Sequence, residues 1–304
     1  MPDRPPVFSL PTTMTGSLAG GLWMVGFTVT FAVLMAMVRH VSAEIHPFET
    51  AFFRNFFGLV VMLPWFARVG PGGLRTRRLG AHGFRALSGV IAMCALFMAI
   101  SLMPLAEVTA LTFTSPLFAT AGAALVLGET VQARRWTATL IGFAGTLIIL
   151  RPGAETLTPA ALLVLLAAAF IATSMLSIKS LSATESPNVI VVYMGLLMTP
   201  MSLVPALFVW TWPTLEAWAW LAAIGAVATL GQLAVARAFA AADASAVMPF
   251  DFFRLMFTAA LGFTLFGEGL DVWTWVGAGV ILASSVYIAR REARLGKETP
   301  APVQ

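Results

Sequence analysis

The sequence predicts an all-α integral membrane protein of about ten transmembrane helices, arranged as two inverted repeats of five. Composition, the lengths of the apolar runs and a weak internal repeat lead to this prediction. Of the 304 residues, 59% are hydrophobic and 11% are charged, and the mean hydropathy is +0.88. A soluble domain carries about 25% charged residues. A chain this apolar could not cover its surface with polar groups, so we expect a lipid bilayer to surround it.

Apolar runs of transmembrane length recur along the chain with short connections between them. A helix needs roughly 20 apolar residues to cross the hydrocarbon core. The runs lie at about 18–38, 47–67, 84–103, 106–127, 135–150, 158–178, 188–209, 217–239, 244–266 and 272–290. The fifth run is the shortest of them. Each run is predicted to form one transmembrane helix.

Lysine and arginine are distributed unequally between the two sides of the predicted bundle. With both termini in the cytoplasm, the cytoplasmic side holds Arg4, Arg68, Arg75, Arg77, Arg78, Arg85, Arg134, Arg135, Lys179, Arg290, Arg291, Arg294 and Lys297. The other side holds only Arg39 and Arg151. Short cytoplasmic loops are enriched in these residues. Both ends are therefore predicted to face the cytoplasm, with residues 1–17 and 291–304 as tails.

A shift of about 140 residues superimposes landmarks of the first half on landmarks of the second. The matched pairs are Arg39 with Lys179, Pro47 with Pro187, Glu129 of "VLGE" with Glu268 of "LFGE", and Trp136 with Trp275. We divide the chain into repeats at 18–153 and 154–290. Because each half holds an odd number of helices, the second enters the membrane from the opposite side. Inverted repeats are typical of secondary transporters, whose substrate site lies between the repeats near the midplane.

Several function classes lack the residues that they need. The sequence has no G-x-x-x-x-G-K-[ST] phosphate loop, which excludes an ATP-driven motor within this chain. It also has no dense patch of basic residues that could bind nucleic acid. Cys94 is the single cysteine, and His40, His46 and His82 lie in or near loops without a metal-binding spacing. We expect no cofactor and no metal. A membrane-embedded enzyme and a channel or structural subunit remain the alternatives to a carrier.

Several motifs resemble the EamA-type transporters of the drug/metabolite transporter superfamily. They are "PFETAFFRNFFGLVVMLP", "TFTSPLFAT", "RRW…IGFAGTLIILRP", "MPFDFFRLMFTAALGFTLFGE" and the "GE" that closes the fourth and ninth runs. They are similar to a bacterial branch that includes S-adenosylmethionine uptake carriers. The resemblance covers about residues 18 to 290. It implies a carrier in the bacterial inner membrane, whose cavity is lined mainly by the first, third, fourth, sixth, eighth and ninth helices.

Asp251 and Arg254 are the leading candidates for substrate binding or coupling. They are three residues apart, so they share a helix face and can form an ion pair. Their run places them near the bilayer centre, where an ionisable pair is by default a functional-site hypothesis. The alternative is a closed structural pair that locks the helix to its neighbours. Pro249 and Pro116 are expected to loosen the ninth and fourth helices.

Arg54 interrupts the second run about 10 Å along its helix. In one interpretation it lies in the cavity and attracts a carboxylate or phosphate. In the other it is a structural or gating residue, since the resemblance implies a peripheral second helix. Glu49, five residues earlier, is interpreted as solvated near the periplasmic interface.

Five further residues are candidate ligand contacts. Thr112 and Ser115 offer hydroxyls within one turn, although such groups also bond back to their own helix. Gln232 places an amide near mid-membrane, where it needs a partner. Trp23 and Phe113 could stack on a planar or cationic ligand. Packing or lipid contact is the alternative for both aromatic residues.

These observations predict a secondary carrier that works by alternating access as a monomer or homodimer, with a proton as the candidate coupling ion. Arg54, Arg254 and, if it faces the cavity, Arg237 outnumber Asp251. This excess favours a substrate with an anionic group, zwitterionic or aromatic. Uptake of an S-adenosylmethionine-like metabolite or of a flavin such as riboflavin is the prediction. Export of amino acids or related metabolites is the alternative.

Overall fold

The computed structural model describes residues 14–70, 74–115, 117–118, 158–242, 253–269 and 271–280. It also describes positions 137, 140, 141, 144, 145, 147, 148, 247, 250, 251, 283 and 287. Every regular element in these ranges is helical. The helices are α1 (Met14–Val41), α2 (Pro47–Val69), α3 (Leu79–Leu102), α4 (Leu105–Thr112), α5 (Pro159–Ser182), α6 (Pro187–Leu207), α7 (Leu215–Ala241) and α8 (Phe253–Phe266). Residues 272–280 are also helical.

Six of these helices, α1–α3 and α5–α7, are long and apolar enough to cross a membrane, and α8 is a shorter apolar helix. They correspond to the first, second, third, sixth, seventh and eighth predicted spans. The fourth and ninth spans are described in part. The fifth span is described only at the seven scattered positions between 137 and 148, and residues 119–127 of the fourth span lie outside the described residues.

Polar caps begin four of these helices. Thr158, Ser186 and Thr214 each accept a hydrogen bond from a backbone N–H in the first turn of α5, α6 and α7. His46 caps α2 through Nδ1, which accepts from the N–H of Phe48 at 3.2 Å. Desolvation by burial lowers the pKa of His46. The lowered pKa favours the neutral imidazole, and only that form keeps a nitrogen free to accept.

Helix packing follows the symmetry expected of two related halves. The principal pairs are α1·α7 with α3·α5, α2·α7 with α3·α6, α1·α8 with α4·α5, and α2·α6. If α1, α2, α3 and α4 are exchanged with α5, α6, α7 and α8 in that order, each packing pair becomes the pair named with it, and α2·α6 becomes itself. A two-fold relation between repeats produces this pattern. The space between α1, α3, α5 and α7 therefore lies at the interface of the two halves.

The crossing of α2 and α7 depends on a glycine. A Cβ at Gly225 would lie 2.4 Å from the Cβ of Phe57 and 2.9 Å from the backbone nitrogen of Gly58. Only a residue without a side chain permits this approach. Small residues commonly allow close contact between membrane helices.

The fourth and ninth predicted spans are not continuous helices, contrary to expectation. After α4, Phe113 and Thr114 form a tightened turn in which their N–H groups bond to carbonyls three residues back. In the ninth span, Phe250 and Asp251 lie in a 3₁₀ turn and α8 begins only at Phe253. The sequence has a proline near each interruption, and proline lacks the N–H that continues a helix. Asp251 thus precedes the helix instead of lying within it.

Arg39 and Glu268 join three helix ends, although the sequence predicts Arg39 in an outer loop. Arg39 Nη2 lies 3.5 Å from Glu268 Oε1. Arg39 Nη1 donates to the carbonyls of Ile100 and Met103, at the end of α3. Glu268 Oε2 accepts from the N–H of Leu105 at 2.8 Å. This Arg39–Glu268 bridge ties the end of α1 to the α3–α4 junction and to the segment after α8.

Candidate substrate site between the repeats

A cavity of about 120 Å³ lies among α1, α2, α3, α5, α6, α7 and α8. Most of its lining is apolar, and three phenylalanines, Phe27, Phe31 and Phe97, contribute to it. The charged and amide side chains that line it are Arg54, Arg85, Gln232 and Arg254. None of the described lining residues is Asp or Glu. The cavity is therefore apolar, aromatic and rich in guanidinium groups.

Arg254 carries its charge beside one carboxylate and two aromatic rings. Its Nη2 lies 3.1 Å from Asp251 Oδ2, and both residues are buried. Its guanidinium lies 4.6 Å from the ring centroid of Phe31 and 4.9 Å from that of Phe113. Both distances suit a cation–π contact. Asp251 holds Arg254 at the cavity edge, as the ion-pair prediction expects.

The two interrupted spans meet at this point. The shift that superimposes Glu129 on Glu268 also places Thr112 on Asp251. Phe113, directly after α4, contacts Arg254, in the first turn of α8. Discontinuous helices at the repeat interface commonly form the substrate sites of secondary transporters.

Arg54 lines the cavity and is 7% exposed. Its Nη1 donates to Asn55 Oδ1 at 2.7 Å and lies 3.6 Å from Met93 Sδ. Asn55 Nδ2 in turn donates to Ser202 Oγ on α6 at 3.1 Å. No carboxylate among the described residues pairs with Arg54. Its position supports the cavity interpretation over a peripheral one.

Arg85 belongs to the same cavity, although the sequence predicts it on the cytoplasmic side. It is 3% exposed, and its Nη2 donates to Gln232 Oε1 at 3.0 Å. The helix α3 begins at Leu79, five residues before the apolar run. Arg85 therefore lies about 9 Å inside the helix. The absence of proline between 79 and 103 was the available signal that the helix extends upstream.

The hydroxyls of Thr112 and Ser115 bond to their own backbone. Thr112 Oγ1 donates to the carbonyl of Thr109, and Ser115 Oγ donates to that of Thr112, both at 2.7 Å. Neither residue lines the cavity. Their placement corresponds to the alternative stated above, in which the hydroxyls satisfy carbonyls near the helix end.

Trp23 and Phe113 have different surroundings. Trp23 is 41% exposed, and the guanidinium of Arg237 lies 4.8 Å from its ring centroid. Neither Trp23 nor Arg237 lines the cavity. Phe113 is buried against Arg254, behind the lining. Phe113 thus contacts a residue that lines the cavity, and its role as a ligand contact stays a prediction.

The helices that line the cavity also differ from those implied by the resemblance. The second helix contributes Arg54, and the seventh span, α6, contributes Met194 and Met198. No described residue of α4 lines it. The symmetric α2·α6 pair therefore closes one side of the cavity.

Glu49 is fully buried, which contradicts its interpretation as a solvated residue. Its Oε2 accepts hydrogen bonds from both the N–H and the hydroxyl of Thr211, each at 3.1 Å. The connection between α6 and α7 folds over the start of α2 and excludes water from this carboxyl group. Glu49 thus joins two helix ends.

No group of three or more His, Cys, Asp or Glu in the described part of the chain could hold a metal ion. The side chains that line the cavity can donate hydrogen bonds, stack on rings and attract negative charge. These are properties of a binding site.

A family model matches the chain twice. The model of the EamA-like transporter family covers residues 18–151 and 158–290. The chain belongs to this family. The two matches, together with the exchange of packing pairs, confirm the predicted architecture of about ten helices in two inverted repeats. The exact repeat boundaries and the tails stay predictions.

Curated relatives are similar over nearly their whole length. A riboflavin transporter of Vibrio cholerae serotype O1 is 38% identical over 282 residues, covering 91% of this chain and 95% of the relative. An S-adenosylmethionine uptake transporter of Rickettsia bellii is 31% identical, over 90% and 94%. The pseudopaline exporter CntI of Pseudomonas aeruginosa is 29% identical, over 90% and 96%. This EamA protein is a multi-pass secondary transporter of a small metabolite.

A crystal structure of a protein 17% identical to this chain supports the fold. Its TM-score is 0.62, and the match covers 95% of this chain and 100% of that one. At this identity the likeness concerns the fold alone.

Proposed function

We propose that this EamA transporter takes up a planar metabolite rich in hydrogen-bond acceptors, of which riboflavin is the first candidate. The observation that supports this proposal is the lining of the cavity. Three arginines meet there with aromatic rings, while Asp251 is the single carboxylate paired with any of them among the described residues. The similarity to a riboflavin transporter over nearly the whole chain points to the same cargo.

The charge of the cavity distinguishes flavins from S-adenosylmethionine. S-adenosylmethionine carries a sulfonium and an ammonium group against one carboxylate, so its net charge is positive. Surplus arginines in an apolar cavity repel such a cation. Riboflavin is uncharged, and its ring carbonyls and ring nitrogens accept hydrogen bonds from guanidinium donors. Its flat ring system also suits the phenylalanines and Arg254.

Transport requires the cavity to change in size. At about 120 Å³ it is smaller than the 300–1,000 Å³ typical of ligand pockets, so cargo entry needs helix movement. Rocking of one repeat against the other supplies such movement. We place the protein in the bacterial inner membrane with both termini in the cytoplasm, following the distribution of lysine and arginine.

Asp251 offers a route to proton coupling. Protonation of its carboxyl would remove the charge that holds Arg254 and free the guanidinium for cargo. Exchange without a proton would use the same pair, with cargo competing for Arg254. A protonophore added to energised proteoliposomes separates the two mechanisms, since only coupled uptake slows.

Uptake into proteoliposomes tests the assignment of the cargo. We expect saturable riboflavin uptake that is accelerated when riboflavin is preloaded inside. Excess S-adenosylmethionine should not compete. Saturable transport of S-adenosylmethionine without riboflavin transport would overturn the proposal, and a linear riboflavin flux would favour a channel.

The direction of transport has to be measured in cells, because a counterflow assay gives a signal for uptake and for export alike. In a bacterial riboflavin auxotroph, expression of an uptake carrier should lower the external riboflavin concentration needed for growth. An exporter, like the relative named for pseudopaline, would raise that concentration.

A further inference from the structure

We propose that Arg54 and Arg85 form an anion-binding subsite of the cavity, so that a planar cargo with a carboxylate or phosphate group binds more tightly than uncharged riboflavin. This inference deepens the proposed function and rests on the cavity being the cargo site. It assigns a role to Arg85, which the distribution of lysine and arginine alone would place at the cytoplasmic surface.

Both guanidiniums are buried, and both line the cavity. Arg54 bonds to the amide oxygen of Asn55, and Arg85 to that of Gln232. The Nε of each arginine has no hydrogen-bond partner. Two permanently charged guanidiniums therefore lie in the same apolar cavity, and the hydrogen-bond partners described for them are uncharged.

Such an arrangement is costly in the empty carrier. A buried charge is normally paired, because amide oxygens replace only part of its hydration. Arg254 shows the paired case, with Asp251 at 3.1 Å. Neither Arg54 nor Arg85 has an equivalent carboxylate among the described residues. An anion that enters the cavity supplies the missing countercharge, and the guanidinium fork matches carboxylate and phosphate geometry.

Two amides position the pair without neutralising it. Gln232 on α7 holds Arg85 of α3, and Asn55 holds Arg54 on α2. Ser202 on α6 anchors Asn55 in turn. Helices of both repeats therefore orient the two cations. A purely structural arginine would be expected to bond instead to a carboxylate or to helix-terminal carbonyls, as Arg39 does.

Two flavins that differ by one phosphate test the subsite. The purified full-length protein is titrated with riboflavin and with flavin mononucleotide at fixed ionic strength. We expect the mononucleotide to bind about tenfold more tightly, in line with hydrogen bonds between charged groups. Arg54→Gln and Arg85→Gln should each weaken binding of the mononucleotide about tenfold more than binding of riboflavin, so that most of this preference is lost. Equal affinities in the wild type, or equal weakening of both flavins by Arg85→Gln, would overturn the proposal.

Arg237→Gln is the matched control. Arg237 is a partly buried arginine that contacts Trp23 outside the cavity, so its loss should keep the preference for the mononucleotide. If Arg85→Gln fails to fold, Arg85→Lys retains the charge without the fork. That variant should lose part of the preference, and an unchanged preference contradicts the proposal.

Inorganic phosphate separates this inference from the assignment of flavin. Compared with chloride at equal ionic strength, phosphate should raise the Tm of the wild type and of Arg237→Gln, and not that of Arg85→Gln. Phosphate stabilisation in a protein that binds no flavin keeps the subsite and removes flavin as cargo. Flavin binding without phosphate stabilisation or a phosphate preference overturns the subsite and keeps flavin.

Discussion

Arg254 is a permanent positive charge whose surroundings keep it inside an apolar bundle. Asp251 neutralises it, and the rings of Phe31 and Phe113 lie at cation–π distance. Removing one member of a buried ion pair leaves an unpaired charge, which typically costs 3–5 kcal/mol. Removing both members is far less harmful. Stability measurements can therefore show whether the pair is closed in the resting carrier.

The first prediction concerns this pair. Asp251→Asn and Arg254→Gln should each lower the Tm, because each leaves one buried charge without its partner. The loss in free energy of unfolding of the double variant should be smaller than the sum of the two single losses by about 1 kcal/mol or more. Thermal unfolding of all four proteins checks this coupling. Additive losses would contradict a direct pair. Arg254→Gln should also weaken riboflavin and flavin mononucleotide together, unlike Arg85→Gln.

The sequence identifies those cavity residues whose polar side chains interrupt an apolar run. Arg54, Gln232 and Arg254 stand out in this way, and all three line the cavity. Arg85 stands at the edge of its run, so hydropathy assigns it to the surface. The direction of Trp23 depends on helix rotation, which composition alone does not determine. Whether residues such as Arg85 and Trp23 face the cavity depends on tertiary packing.

At the scale of the helix, the α2–α7 crossing depends on the missing side chain of Gly225. The Cβ of Phe57 lies where a methyl group would have to go. Because α2 carries Arg54 and α7 carries Gln232, any separation of these helices also changes the cavity.

The second prediction compares two glycine substitutions. Gly225→Ala should destabilise the protein by about 1–3 kcal/mol through overpacking and lower its Tm. Gly26→Ala is the control, since its new methyl group has nothing within 4 Å. It should be neutral or stabilising by up to about 1 kcal/mol, because alanine favours helix. Thermal unfolding of both variants measures the difference, and equal effects would show that the crossing tolerates a side chain.

The lengths of the apolar runs predict most of the helices, but run length carries no information about the interruptions within a run. Pro116 and Pro249 predict loosened helices, whereas the apolar runs around them predict continuous ones. A proline in a membrane helix can be accommodated by neighbouring groups or can end the helix. Around Thr112 and Asp251 the chain turns, and those turns bring Phe113 to Arg254.

For the whole molecule, the Arg39–Glu268 bridge joins helix ends of the two halves on one side of the bundle. It joins α1 and the α3–α4 junction of the first half to the segment after α8 in the second. With cytoplasmic termini, this end faces the periplasm. Alternating access requires the ends of the two repeats to separate there in one state. The shift between the repeats places Lys179 on Arg39 and Glu129 on Glu268, so a counterpart is expected at the cytoplasmic end, where Glu129 lies outside the described residues.

The last prediction tests this movement. Arg39→Cys and Glu268→Cys are introduced together with Cys94→Ala, which removes the single native thiol. A flexible, reducible bis-methanethiosulfonate reagent then links the two positions, whose long side chains meet at 3.5 Å while their backbones lie farther apart. Cross-linking should abolish riboflavin counterflow, and dithiothreitol should restore it, because the link prevents this end from opening. The Arg39→Cys variant treated alone controls for modification of the thiol. Counterflow that continues at the uncross-linked rate would show that cargo passes without separation of these helix ends.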